Sequence, residues 1–254
     1  MIRITNQFES VGRNFGNKLF TYAVGRIFAK ELNQGLKIPE NSLIQRKGIN
    51  SLFPYGNVTG LYDYEDEYYV SDHSMFIKGM DLILNESKNK SVFLDGYFLK
   101  YDYIKNHKEY IKEIYSDLIL ENDNKNDVVI LLRNSRCDDT FALPDSYYLN
   151  LLENLKFDNL FVCYDHIDRH KTLMESIKKY SPTYVDENII DVFKFITSKN
   201  TIIACQGTFS FWSVLLSNAR KIYWPIPKKG PNVNENLVNL TIDDEDRINF
   251  INVK

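Results

Sequence analysis

The chain has 254 residues, with 31 Lys and Arg against 34 Asp and Glu, a net charge of -3 and a pI near 5.9. Charges that nearly cancel exclude a broad basic surface for DNA or RNA, whose phosphates select a basic excess. Hydrophobic residues at 44% and charged residues at 26% exclude a disordered chain, and the length suits one large domain or two of about 120 residues each.

Cys137, Cys163 and Cys205 form no CxxC pair and no regular framework, so they read as reduced core thiols. The first residues lack an apolar stretch of signal-peptide length, and no later run approaches the roughly 18 to 20 apolar residues of a membrane span. A reducing cytoplasm is the expected compartment.

In chain order, Ile2 to Ile4 reads as a short strand and Asn6 to Asn14 as a polar loop. From Gly16 to Leu32, the apolar residues Leu19, Phe20, Ala23, Ile27, Phe28 and Leu32 recur mostly at spacings of three and four, which predicts an amphipathic helix. Leu36 to Ile38 suits a second strand. Tyr68 to Val70 is strand-like, with a helix expected around Met75 to Leu84. Ser91 to Phe98 reads as a strand running into a turn, followed by a helical stretch from Tyr101 to about Leu118. The polar run Glu121 to Asp127 is the best linker candidate.

Beyond it the pattern becomes regular. Short apolar runs at Val128 to Leu132, Leu160 to Tyr164, Thr183 to Val185, Thr201 to Cys205 and Lys221 to Trp224 predict strands. Helical stretches near Asp145 to Leu155, Ile167 to Tyr180, Ile189 to Ser198 and Phe209 to Ser217 separate them. This alternation predicts an α/β protein: residues 128–254 form a doubly wound parallel sheet, and residues 1–122 a looser version of the same architecture. Ligands of such sheets bind outside the carboxyl ends of the strands, which in a two-domain chain places the site in a cleft.

Three segments carry candidate chemistry. Gly12-Arg13-Asn14-Phe15-Gly16-Asn17 joins the first strand to the first helix, where free N–H groups, glycines and Arg13 suit an anion or a sugar hydroxyl; a plain strand-to-helix turn is the alternative. Arg133 directly follows an apolar strand, and its fork of donors suits a diphosphate or a nearby surface carboxylate such as Asp138 or Asp139. In Cys205-Gln206-Gly207-Thr208-Phe209-Ser210-Phe211-Trp212, a strand ends, a glycine permits a tight turn, and the Thr208 and Ser210 hydroxyls fall in the first turn of a helix. An ordinary helix cap followed by core aromatics is the commoner reading of those residues.

His166 and His170, flanked by Asp165 and Asp168, have the spacing of a helical metal pair. With no HExxH glutamate and no third histidine nearby, they read as an exposed polar face. The acidic runs at 63–67 and 243–246 read as solvated loops rather than a metal-binding DxD.

Taken in order, these segments resemble the fucosyltransferase superfamily that includes the bacterial α-1,2-fucosyltransferases of glycosyltransferase family 11 and the protein O-fucosyltransferases. GRNFGNKLFTYA at 12–23 is similar to the group's GRFGNQ signature, with one inserted residue and Lys18 in place of Gln. Leu94-Asp95-Gly96-Tyr97-Phe98 resembles the LxGYxQ segment of the α-1,2 branch, Leu131-Leu132-Arg133-Asn134 falls where the family has HxRR, and Gly207 to Trp212 is close to its NSTFSWW block. Leu131 stands in place of the family histidine and Asn134 in place of the second arginine.

The resemblance implies a GT-B-like fold, with two Rossmann-like domains facing a cleft. It also implies an inverting, metal-independent transferase that moves fucose from GDP-fucose to a hydroxyl of a glycan acceptor. Arg133 and Asn17 are then the expected catalytic residues, with Arg133 stabilising the leaving diphosphate in place of a metal. Arg13, Gly16, Asp191, Gly207, Thr208, Phe209 and Ser210 are the expected donor-binding residues, Asp191 falling where the protein O-fucosyltransferase branch reads the guanine edge. Asp95 and Asp138 are the carboxylates open to the role of general base. A same-fold transferase using another nucleotide sugar, such as a UDP-sugar, and a non-catalytic nucleotide- or glycan-binding homologue are the alternatives.

Overall fold

The computed structural model describes residues 1–4, 15–38, 67–123, 125–132, 143–164, 170–226 and 238–253. The chain forms two compact units: Met1–Ile114 with Asn234–Thr241, and Tyr115–Val233 with Ile242–Lys254.

In the first unit, β1 (Ile2–Ile4), β2 (Leu36–Lys37), β3 (Glu67–Ser71) and β4 (Ser91–Asp95) form one sheet in the order β2-β1-β4-β3, all parallel. Helix α1 (Phe15–Glu31) buries the predicted Leu19, Phe20, Ala23, Ile27 and Phe28, but Lys18, Thr21, Tyr22 and Val24 between them are buried as well, so it is enclosed nearly all round rather than on one face. Gly25 lets it rest directly on the sheet, since a Cβ there would lie 3.0 Å from Ile4 Cδ1 and 3.1 Å from Leu36 Cδ1. Buried Ile2, Ile4, Leu36 and Val70 alternate with exposed Arg3, Lys37, Glu67 and Tyr69. This sheet therefore has one apolar face, and Arg3 pairs with Glu67 on the other.

The single helix expected at Met75 to Leu84 is two, α2 (Asp72–Lys78) and α3 (Met80–Glu86), because Gly79 takes φ 75° and breaks the helical path between them. Ser71 starts α2 with a reciprocal cap: its hydroxyl accepts from Ser74 N at 3.2 Å, while Ser74 Oγ accepts from Ser71 N at 2.8 Å. The helical stretch expected from Tyr101 to Leu118 is also divided, into 3-10 turns at Tyr101–Tyr103, Lys105–His107 and Ser116–Leu118 around α4 (Lys108–Ile114). Lys100 is held extended by a parallel bridge to Asn239, whose carbonyl accepts from Tyr101 N at 2.8 Å and whose N–H donates to Leu99 O at 2.9 Å. A partner 139 positions later in the chain thus overrides a local helical preference.

The second unit holds β5 (Asp127–Leu132), β6 (Asn159–Tyr164), β7 (Thr183–Val185), β8 (Thr201–Ile203), β9 (Lys221–Ile226) and β10 (Ile248–Asn252). Their order is β10-β9-β8-β5-β6-β7, all parallel. Helices α5 (Asp145–Glu153), α6 (Lys171–Ile177), α7 (Ile189–Thr197) and α8 (Thr208–Leu216) connect successive strands through β9. The chain winds outward from β5 through β6 and β7, then returns to the other side of β5 at β8. This is the doubly wound arrangement that the alternation predicted, and β5, buried at every position, is its centre.

Strand β10 was not foreseen. Its sequence, INFIN, is interrupted by Asn249 and Asn252 and carries no strong apolar run. It is held as an edge strand by pairing with β9 and by Arg247 just before it, whose guanidinium donates to Ser217 O at 2.6 Å, Ala219 O at 3.1 Å and Val214 O at 3.2 Å.

The polar run read as a linker is bound into the second unit. Lys199, only 5% exposed, sets its ammonium 2.6 Å from Asp123 Oδ2 and 3.5 Å from Asp127 Oδ2, over the rings of Phe195 and Phe161. Asn122 and Lys125 bond to Asn200. Upstream, Thr197 Oγ1 lies 3.1 Å from Leu118 O and accepts from Leu120 N, and Tyr115 packs edge-on to Trp212. Polar residues that looked like a solvated tether are partners for buried groups.

Candidate functional site

Parallel strands bring all their carboxyl ends to one edge, and a crevice opens there where the strand order reverses. In the second unit the reversal lies between β5 and β8, which pair directly with Val128 opposite Thr201 and Ile130 opposite Ile203. Strand β5 ends at Leu132; Arg133, the next residue, lies outside the described residues, as do Arg13 and Asp138. Strand β8 continues into Ala204-Cys205-Gln206-Gly207. Gly207, at φ 118°, is the N-cap of α8 and turns the chain where a side chain would be strained.

Thr208, Phe209 and Ser210 form the first turn of α8. Thr208 is 7% exposed and Ser210 1%, and Ser210 Oγ accepts from Cys205 N at 3.2 Å. That bond closes the turn on itself and gives Ser210 a supporting position. Phe209 is partly exposed and meets Phe193 edge-on with ring centroids 5.4 Å apart, which joins α8 to α7. Asp191, exposed in the first turn of α7, is fixed by Asn188: the Asn188 side chain accepts from Asp191 N at 3.1 Å and donates to the Asp191 carboxylate. The 205–210 turn, the end of β5 and the start of α7 are thus placed along one unit.

Two residues missed in the sequence hold the strand ends. Tyr147 Oη lies 3.1 Å from both Ala204 O and Tyr223 O, beyond β8 and at β9, and Tyr148 Oη donates to Leu131 O at 3.0 Å on β5. Burial pushes the Tyr147 phenol well above its ordinary value, so it acts as a neutral donor. Two adjacent tyrosines in an apolar-patterned helix, SYYLNLL, were the available signal, since a buried phenol needs a partner.

His170 is not on an exposed face as expected. It is 3% exposed, at the N-cap position of α6, with Nδ1 2.8 Å from Asp145 Oδ1, while Asp145 Oδ2 accepts from Leu173 N at 2.9 Å. The carboxylate that straps α5 to α6 also fixes the histidine ring. His166 lies outside the described residues, and among the described residues no group of three His, Cys, Asp or Glu could hold a metal ion. Cys163 and Cys205 are buried and unbridged, and burial pushes the Cys163 thiol up to about 12, far from a nucleophile's range.

In the first unit β1 and β4 are the two central strands, paired with Ile2 opposite Val92 and Ile4 opposite Leu94. Gly16 is buried and Asn17 half-buried at the start of α1. The hydroxyl of Thr21, one turn on, lies 3.2 Å from Gly96 O and 3.3 Å from Asn17 O. Two motif segments far apart in sequence, 16–21 and 94–98, are therefore in contact.

Asp72, also missed in the sequence, clamps the second of them: Oδ2 accepts from Tyr97 N at 2.8 Å and Oδ1 from Phe98 N at 2.6 Å. A Cβ at Gly96 would sit 2.9 Å from that carboxylate, so the turn needs glycine there. Asp95 accepts from the hydroxyl of Tyr69, a bond that raises the pKa of the phenol.

Among the described residues, no helix is long and apolar enough to cross a membrane. No family model matches the chain, and no curated protein matches it. Among solved structures it is similar to an Arabidopsis thaliana FUT1 mutant in complex with GDP, with TM-score 0.49, 9% identity, and coverage of 87% of this chain and 68% of that one. It is also similar to POFUT1 in complex with GDP-fucose (0.47, 13% identity, 87% and 96% covered). A third similarity is to the E. coli heptosyltransferase WaaC with ADP (0.48, 9% identity, 93% and 89% covered). With every one of these TM-scores below 0.5, the likenesses assign neither fold nor activity; the α/β class with two parallel sheets stands on the strand pairing itself.

Proposed function

We propose that the protein is an inverting glycosyltransferase that takes fucose from GDP-fucose without a metal and passes it to a glycan hydroxyl. The observation that carries this reading is the pairing of β5 with β8, which sets the segment leading to Arg133 beside the Gly207 turn. Those are the two segments that the resemblance assigns to the diphosphate. The positive end of α8, with Thr208 in its first turn, suits phosphate oxygens, and Arg133 supplies the positive charge that a departing diphosphate needs. Phe209 and Asp191 suit the nucleoside. Asn17 and Gly16, on the first unit, suit the transferred sugar and its acceptor.

Leu131, 3% exposed within β5, stands where the resembled motif has a histidine. That departure keeps a UDP-sugar donor as the second reading. A thermal-shift panel of GDP, UDP and dTDP separates the two: GDP is expected to raise the midpoint most, a larger shift with UDP would move the donor, and no shift with any of the three would reject the nucleotide-sugar reading. Arg133→Ala is expected to abolish transfer in a folded chain, and EDTA to leave transfer unchanged. Near-normal turnover by that variant, or a strict requirement for manganese, would overturn the mechanism. Nucleotide binding with neither transfer nor donor hydrolysis in the native chain would mark a non-catalytic binding protein.

A further inference from the structure

A transferase of this kind must remove a proton from the acceptor hydroxyl, and in the first unit the carboxylate Asp95 ends β4. Strands β3 and β4 end side by side, with Ser71 opposite Asp95. Tyr69 bonds that carboxylate and Tyr97 follows it by two residues in the chain; both remain open to solvent, at 55% and 37% exposure. The Tyr69 hydroxyl donates to Asp95 Oδ2, and among the described residues no hydrogen bond reaches Oδ1. A carboxylate has about four acceptor sites, so ample capacity remains for a ligand hydroxyl.

The position of Asp95 is held from three sides. Its strand register fixes the backbone, the Asp72 clamp fixes Tyr97 and Phe98 just after it, and Thr21 of α1 bonds the carbonyl of the intervening Gly96. Thr21 is one turn from Asn17, so the carboxylate and the start of α1 share one edge of the sheet. A pyranose presents C–H faces that pack on aromatic rings and hydroxyls that donate to carboxylates, and Asp95 with exposed Tyr69 and Tyr97 matches that chemistry.

We propose that Tyr69, Asp95 and Tyr97 form a subsite for the acceptor sugar and that Asp95 is the general base. The proposal rests on the transferase reading and deepens it. As the acceptor oxygen forms its bond to the anomeric carbon, the bond from that carbon to the phosphate oxygen breaks, and its electron pair leaves with the nucleoside diphosphate. The acceptor's hydroxyl proton passes to Asp95 Oδ1. Tyr69 is a positioning residue, since its hydroxyl occupies Oδ2 and leaves the other oxygen for the acceptor.

The test uses the full chain, GDP-fucose, and methyl glycosides of galactose, glucose, mannose and N-acetylglucosamine. Asp95→Asn should lower kcat about 10²- to 10⁴-fold with the dissociation constant for GDP changed less than about twofold, and sodium formate should restore part of the transfer lost in Asp95→Ala, which a merely structural role would not allow. Tyr97→Ala should raise the KM for the best glycoside about tenfold with little change in kcat. Turnover by Asp95→Asn within about threefold of the native rate, or an Asp95→Ala chain that is folded by thermal midpoint yet indifferent to formate, would overturn the base.

A native chain inactive with every glycoside would count against the transferase reading itself and remove the base with it. Saturation-transfer NMR with the same glycosides then decides the subsite: signals lost in Tyr97→Ala support it, and signals equal in both chains, or absent from both, reject it.

Discussion

Lys199 shows how one side chain can organise a segment that composition describes as solvent-facing. Its ammonium is almost fully enclosed by two aromatic rings and is answered by Asp123 and by Asp127, itself 1% exposed and also bonded to Asn159. Burial opposes the charge on Asp123, but the hydrogen bonds from Lys199 and from Lys125 N outweigh it and hold the carboxyl below its ordinary value. A carboxyl depressed on folding contributes stability that is fully present above its unfolded value, near 3.8, and is lost as pH falls through the lower folded one. Lys199→Met should therefore cost about 3–5 kcal/mol near pH 7, chiefly because it strands the buried carboxylate of Asp127. The gap from the native chain should narrow as pH falls below 3.8, where protonation of Asp123 ends its pairing with Lys199. Urea unfolding at pH 7 and pH 3 measures both, and a cost that stays constant with pH would show that packing, rather than charge, is what Lys199 supplies.

At the scale of elements, helices were readable where one face repeats and unreadable where tertiary contacts cut them. The apolar spacing of 16–32 survives intact as α1, yet Gly79 and the bridge from Lys100 to Asn239 divide two other helical stretches. Element ends show the same dependence. The last turn of α8 leaves carbonyls that the helix cannot satisfy, and Arg247, more than thirty residues later, takes Val214 O and Ser217 O together with Ala219 O. Arg247→Ala should lower the unfolding free energy by about 1.5–3 kcal/mol, the worth of hydrogen bonds from a charged donor. Arg247→Lys should recover only part of that, because an ammonium lacks the planar fork. Thermal unfolding of the two variants checks the order, and equal midpoints for Ala and native would remove Arg247 as the anchor of β10.

For the whole molecule, each unit is a parallel sheet that brings together motif segments distant in sequence, and the second sheet's strand order reverses once, between β5 and β8. The second unit keeps its reversal in register through Tyr147 and Tyr148, which tie α5 to the ends of β5, β8 and β9. Tyr147→Phe should cost about 1 kcal/mol in stability through the lost hydrogen bond. It should also weaken nucleotide binding several-fold, since the Gly207 turn hangs from Ala204. Binding that is unchanged in the variant, by the same nucleotide panel, would separate α5 from the site.

The sequence by itself determined the α/β class, helix α1, the strand-helix alternation after residue 127 and the Gly207 turn. Each of these follows from side-chain periodicity or backbone freedom within a few neighbouring residues. It also supplied the motif segments as separate pieces. Tertiary structure decided which strands are neighbours, that β10 exists, and which partner each buried polar group takes: Asp145 for His170, the Tyr97 and Phe98 amides for Asp72, Asp123 and Asp127 for Lys199. Those pairings join residues up to 76 apart in the chain, and a charge or amide carries no local mark of the partner it will meet. Only closing the parallel sheets brings such groups together, because burial then requires every polar atom to find a partner.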